Sequence, residues 1–99
     1  MIRIVKMSFN PAYIETFKNL FDKRKHKIGS FPGCSGVRLL QDKANPGIFF
    51  TYSVWDSPTS LETYRNSELF QETWKLTKKG FNAKPEAWSV EDVNGFGLD

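Results

Sequence analysis

Apolar and polar positions switch rhythm several times along the chain, and each switch marks an element. Over residues 2–9, Ile2 and Ile4 fall on one parity while Val5, Met7 and Phe9 fall on the other. Apolar residues on both parities predict a strand covered on both sides. From Asn10-Pro11 the spacing becomes helical: Tyr13, Ile14, Phe17, Leu20, Phe21 and Ile28 recur at i, i+3/i+4 and i+7. Asn10 suits an N-cap, Pro11 a first helical position, and Gly29 a stop after about Lys27. After the turn Ser30-Phe31-Pro32-Gly33, residues 34–41 read as a second strand, with Val37 and Leu39 against Arg38 and Leu40. The turn-rich run 42–47 predicts an antiparallel hairpin into a third strand, 48–55. There Ile48, Phe50, Tyr52 and Val54 share one face, and Phe49, Thr51, Ser53 and Trp55 the other. A second helix is expected from Ser57-Pro58, with Thr59 and Glu62 at capping-box spacing. Asn66-Ser67 is a point where it can break or be re-capped, and its stripe resumes at Phe70, Trp74, Thr77 and Phe81, near a stop at Gly80. Residues 85–93 read as a last strand with Trp88 and Val90 on one face, and 94–99 as a flexible tail.

Strand, helix, strand, strand, helix, strand is the βαββαβ order of an α+β ferredoxin-like domain with an antiparallel sheet. Two helices cover only one face of such a sheet. The third strand is apolar on both faces, so a second copy packed sheet against sheet is expected, giving a homodimer with a shared barrel. Size favours the same answer. A chain of 99 residues is one domain, and it buries only about 60–65% of its unfolded surface. Nine Phe, three Trp and three Tyr supply ample apolar area for a core or a subunit interface.

Charge changes this picture little. A net charge of +3 is too small to argue for nucleic acid. The denser basic spots, Lys23 to Lys27 and Lys75, Lys78 and Lys79, read as solvated helix ends. The single cysteine, Cys34, allows no internal disulfide. No apolar run has the length of a signal segment or a membrane span. The expectation is a cytoplasmic protein with no membrane and no nucleic-acid partner.

Most catalytic chemistries fail on residue supply. One His and one Cys leave no metal-binding pair, so no metal is expected. His26 falls on the helix face opposite Phe17, where a solvated histidine is the plainer reading. Cys34 has no identifiable base or cation to activate it. The carboxylates sit at turns and on polar faces, with no pair singled out for acid/base work. No phosphate-cradling glycine pattern exists. What remains is the aromatic cluster of Trp55, Tyr64, Phe70, Trp74 and Phe81, on one strand end and the helix after it. Thr51 and Ser53 share the sheet face of Trp55. A mostly apolar wall with a few polar groups suits a small-molecule pocket, and plain core packing is the competing reading.

Four segments, Phe31-Pro32-Gly33-Cys34, residues 48–55, residues 64–70 and residues 84–90, resemble in order and spacing the antibiotic biosynthesis monooxygenase (ABM) domain family. The resemblance covers about residues 2–93 and implies an ABM-like domain over 1–93, in a dimeric α+β barrel. Active members oxidise quinol- or anthrone-like aromatics with molecular oxygen, using neither metal nor flavin, so no cofactor is expected. Trp55 matches the family's strand-end Trp, and Tyr52, Tyr64 and Trp74 fall on neighbouring positions. A haem-degrading branch uses a Trp and, ten residues later, a His; Tyr64 and Trp74 stand there, which disfavours haem degradation. The resulting expectation is a cofactor-independent monooxygenase of a small aromatic substrate. Trp55, Tyr64, Phe70 and Trp74 shape its pocket, and Tyr52, Thr51 or Ser53 orient the substrate oxygen. The alternatives are a non-catalytic dimeric binding module of the same fold, and a dimer whose aromatics are all core and interface.

Overall fold

The computed structural model describes residues 1–95. Its strands are β1 (Ile2–Ser8), β2 (Cys34–Gln41), β3 (Ile48–Trp55) and β4 (Glu86–Val90), and its helices α1 (Ile14–Gly29), α2 (Pro58–Arg65) and α3 (Glu68–Thr77). Short 3-10 turns at Pro11–Tyr13 and Lys78–Gly80 precede α1 and follow α3. The sheet is antiparallel with strand order β2-β3-β1-β4, the ferredoxin-like arrangement the element order predicts.

Register assigns every strand residue to a face. The pairs Val5↔Thr51, Met7↔Phe49 and Leu39↔Thr51 turn toward the helices. Ile4↔Tyr52, Leu40↔Phe50 and Ile4↔Trp88 turn away from them. That second face is apolar and uncovered in the protomer: Leu40 and Trp88 are each 44% exposed. Arg38 lies over the Tyr52 ring there, 5.8 Å from its centroid.

Three local expectations change. Asn10 does not cap a helix with its side chain; its backbone N–H donates to the Gly80 carbonyl at 2.8 Å, tying the two 3-10 turns together. Gly80 is needed at that contact, because a Cβ there would collide with the Tyr13 ring. The capping box at Thr59 and Glu62 does not form, since Thr59 is already inside α2; Ser57 caps it instead, accepting from the Ser60 N–H at 3.1 Å. The second helical stretch does break at Asn66-Ser67, as the sequence allows: Ser67 Oγ accepts the Phe70 N–H at 3.1 Å and starts α3 afresh. The last strand is shorter than 85–93. Its pairing ends at Ile2↔Val90, where β1 itself begins. The expected flexible tail lies, from residue 96 onward, outside the described residues.

Candidate active site

The core is not one cluster but two. Met7, Phe9, Phe17 and Phe49 form the first, with Phe9 and Phe17 rings 4.2 Å apart. Ile28, Trp55, Leu61 and Tyr64 form the second, with Trp55 and Tyr64 rings 5.0 Å apart. A domain of this size normally closes around one contiguous core. Here a cavity of about 250 Å³ lies between the clusters, under the helices and over the sheet. Both clusters contribute walls: Met7, Phe17 and Trp74 from the first side, and Ile28, Tyr64 and Phe70 from the second.

Each aromatic wall is set by its neighbours. Phe70 stacks on Trp74 at 5.8 Å and 12°, and meets Tyr64 edge-on at 5.2 Å. Trp74 is held from behind by Phe81, edge-on at 5.5 Å. The break at Ser67 lets α3 leave α2 in a new direction, and it is α3 that carries Phe70 and Trp74 to the cavity.

The polar groups fall into engaged and unengaged. Ser53 borders the cavity, but its hydroxyl accepts the Trp55 indole N–H at 2.9 Å and donates to the Arg3 carbonyl at 3.4 Å. Thr73 accepts from Arg24 Nη1 at 3.0 Å, and Thr77 donates to the Thr73 carbonyl at 2.8 Å. For the hydroxyls of Tyr64 and Thr51, no hydrogen bond is found among the described residues. No fully buried side-chain oxygen or nitrogen there lacks a partner. The Tyr64 hydroxyl therefore reaches accessible space, and Tyr64 is one of the residues that border this cavity. Burial, with Cys34 adding a smaller push, raises the Tyr64 phenol well above its ordinary value. It stays protonated at neutral pH and is a hydrogen-bond donor, not a base.

Two charged groups border the same cavity, Arg3 on β1 and Arg65 on α2; Glu86 on β4 borders it as well, but it pairs with Lys6 on the sheet face that turns away from the helices. Burial and the like charge of Arg65 lower the Arg3 guanidinium from its usual value, with Glu62 acting against them. Cys34, whose thiol is pushed up by burial, donates to the Gly36 carbonyl at 3.5 Å and is not activated. His26 is exposed on α1. Among the described residues no group of three or more His, Cys, Asp or Glu could hold a metal ion. No helix among them is long and apolar enough to cross a membrane.

Residues 1–76 match the antibiotic biosynthesis monooxygenase family. The chain belongs to that family. Solved structures agree on the fold. An antibiotic biosynthesis monooxygenase is 19% identical, with TM-score 0.85 over 94% of this chain and 99% of that one. A conserved protein from Methanosarcina mazei is 25% identical, with TM-score 0.81 over 87% and 86%. Rv0793 from Mycobacterium tuberculosis is 14% identical, with TM-score 0.80 over 94% and 96%. No curated protein matches the sequence.

In this ABM protein, five of the seven sequence-selected residues meet at the cavity: Thr51, Ser53, Tyr64, Phe70 and Trp74. Trp55 stands behind Tyr64 and is only 1% exposed, so it supports the wall without lining it. Tyr52 lies on the uncovered sheet face. Sequence reasoning did not select Arg3 or Arg65. A signal for Arg3 existed: it shares the parity of Val5, Met7 and Phe9, the core-facing side of β1.

Proposed function

We propose that this protein is a cofactor-independent monooxygenase and that the cavity between the two core clusters binds its small aromatic, quinol-like substrate. Membership of the ABM family supports the reaction class. The observation that supports the site is a mostly apolar cavity, with five aromatic residues in its lining and Tyr64, whose protonated hydroxyl is unengaged among the described residues, as one of them. A flat ring fits against the wall that Tyr64, Phe70 and Trp74 form together, and a volume of about 250 Å³ sits just below the roughly 300–1,000 Å³ of ligand clefts, which restricts it to one or a few rings.

The chemistry asks little of the protein. A phenolate is electron-rich enough to reduce dioxygen itself. One atom of dioxygen is added to a substrate carbon and two hydrogens leave the substrate with the other as water, turning an anthrone CH2 into a carbonyl or a quinol into a hydroxyquinone, so no outside reductant is needed. The Tyr64 O–H from α2 and the Thr51 hydroxyl from β3 donate to the phenolate oxygen and favour the anion. The surrounding rings exclude water from the reactive intermediate. Two copies pack through the uncovered sheet faces, completing the barrel and rigidifying the strands that carry Thr51 and Ser53.

One observation favours a second reading, a non-catalytic binding module. Glu86 is the single carboxylate residue bordering the cavity among the described residues, and it lies 3.8 Å from Lys6, so none of the described residues offers a free base for the phenol proton. Oxygen uptake separates the two. Metal-free, flavin-free protein is given hydroquinones, naphthohydroquinones and anthrones, with autoxidation subtracted. Saturable uptake that falls in Tyr64→Phe supports the monooxygenase. Saturable binding of these compounds without uptake refutes it in favour of the binding module.

A further inference from the structure

We infer that the ligand has two unlike ends, an aromatic body and an oxyanion group, carboxylate or phosphate, that is held by Arg3 and Arg65. This rests on the reading of the cavity as the substrate site and narrows the substrate to an aromatic acid or its phosphorylated counterpart.

Arg3 stands on the helix-facing side of β1, in line with Val5 and Met7. A guanidinium there must be desolvated in part, and a half-buried cation normally has an anionic partner. Arg3 has none among the described residues. Its guanidinium donates to the neutral Ser89 Oγ at 3.0 Å, and that bond fixes the head group without neutralising it. The nearby carboxylates are occupied elsewhere: Glu62 accepts from Arg65 at 3.3 Å, and Glu86 lies beside Lys6. Arg65 then brings a second guanidinium to the same cavity. Arg65, although paired with Glu62, repels Arg3 more than Glu62 attracts it, and an anion beside Arg3 removes that penalty. The planar fork of a guanidinium matches two oxygens of a carboxylate or phosphate. Arg65 is exposed and can snorkel to solvent, whereas Arg3 is only partly exposed and its head group is fixed by a solvent-accessible hydrogen bond to Ser89.

The test is calorimetric titration of the full chain at about pH 7.5 with naphthoate, naphthyl phosphate and the neutral naphthamide. At least one anion should bind about tenfold or more tighter than the amide, and the stronger of the two identifies the oxyanion. Arg3→Met should abolish that preference while leaving amide affinity, and Arg3→Lys should keep part of it. Arg65→Gln changes an exposed side chain at the end of α2, so it folds whatever happens to Arg3→Met, and it should weaken the preference. Amide binding as tight as the anions overturns the inference while leaving the cavity reading intact. An anion preference unchanged in Arg65→Gln and Arg3→Lys overturns it too. Failure of all three compounds to bind overturns it together with the cavity reading.

Discussion

Removing one oxygen atom separates a ligand-facing hydroxyl from a structural one. Tyr64 is 9% exposed, and its ring is packed against Trp55, Phe31 and Phe70 at 5.0, 5.3 and 5.2 Å. Tyr64→Phe keeps all of those contacts. A hydroxyl satisfied inside the protein costs about 1–3 kcal/mol when it is removed, because its partner is left bare. The Tyr64 hydroxyl has no such partner among the described residues, so the account predicts a stability change under about 1 kcal/mol. Its predicted work is on the ligand. A hydrogen bond to a charged oxygen contributes about 1.5–3 kcal/mol, so quinol turnover or phenolate binding should fall about 10- to 150-fold. Urea unfolding followed by fluorescence gives the first number, and saturation kinetics or calorimetry the second. A variant destabilised by more than about 2 kcal/mol with unaltered ligand affinity would refute the reasoning, since the hydroxyl would then serve the fold.

Three other outcomes are expected. Trp55→Phe removes the indole donor to Ser53 and part of a fully buried ring; it should destabilise by about 2–4 kcal/mol, read from urea midpoints, and cost more stability than Tyr64→Phe. Above about pH 10 the unfolded Tyr64 phenol ionises while the folded one stays protonated, so stability should fall with rising pH, by up to about 1.4 kcal/mol per pH unit from this group; unfolding midpoints of Tyr64→Phe at pH 9 and 11 should lack that share. Trp88→Glu places a charge on the uncovered sheet face and should yield folded monomer in sedimentation analysis while the parent chain sediments as a dimer.

Much of the fold can be read from the sequence because periodicity and turn chemistry agree along most of it. The third strand shows both faces of the sheet in eight residues, and the alternation of Phe50, Tyr52 and Val54 with Phe49, Thr51 and Ser53 holds residue by residue in the register. Caps were less legible. Ser57, Thr59 and Ser67 are all good N-cap residues, and which of them caps depends on where the chain leaves β3, a tertiary matter. The sequence pointed to a pocket beside these aromatics, but not to whether it is open or filled. Whether Tyr64 and Trp74 meet in one core or flank a gap depends on the angle between α2 and α3, which the break at Ser67 sets but does not encode in any local pattern. Trp55 and Tyr64 look alike as aromatics near one corner, yet one supports the wall and the other forms it. Arg3 was legible in principle, as a charge on a core-facing parity, but a single position in a strand apolar on both sides is easily read as its polar edge.

Mass spectrometry of the products formed under isotopically heavy dioxygen tests the central claim most directly. Metal-free, flavin-free protein is incubated with the quinol or anthrone that gives saturable uptake. The account predicts one heavy oxygen atom in the product, the other in water, and loss of the enzymatic share in Tyr64→Phe. Product oxygen drawn only from water, or incorporation that appears only when a flavin or a metal is added, would contradict it.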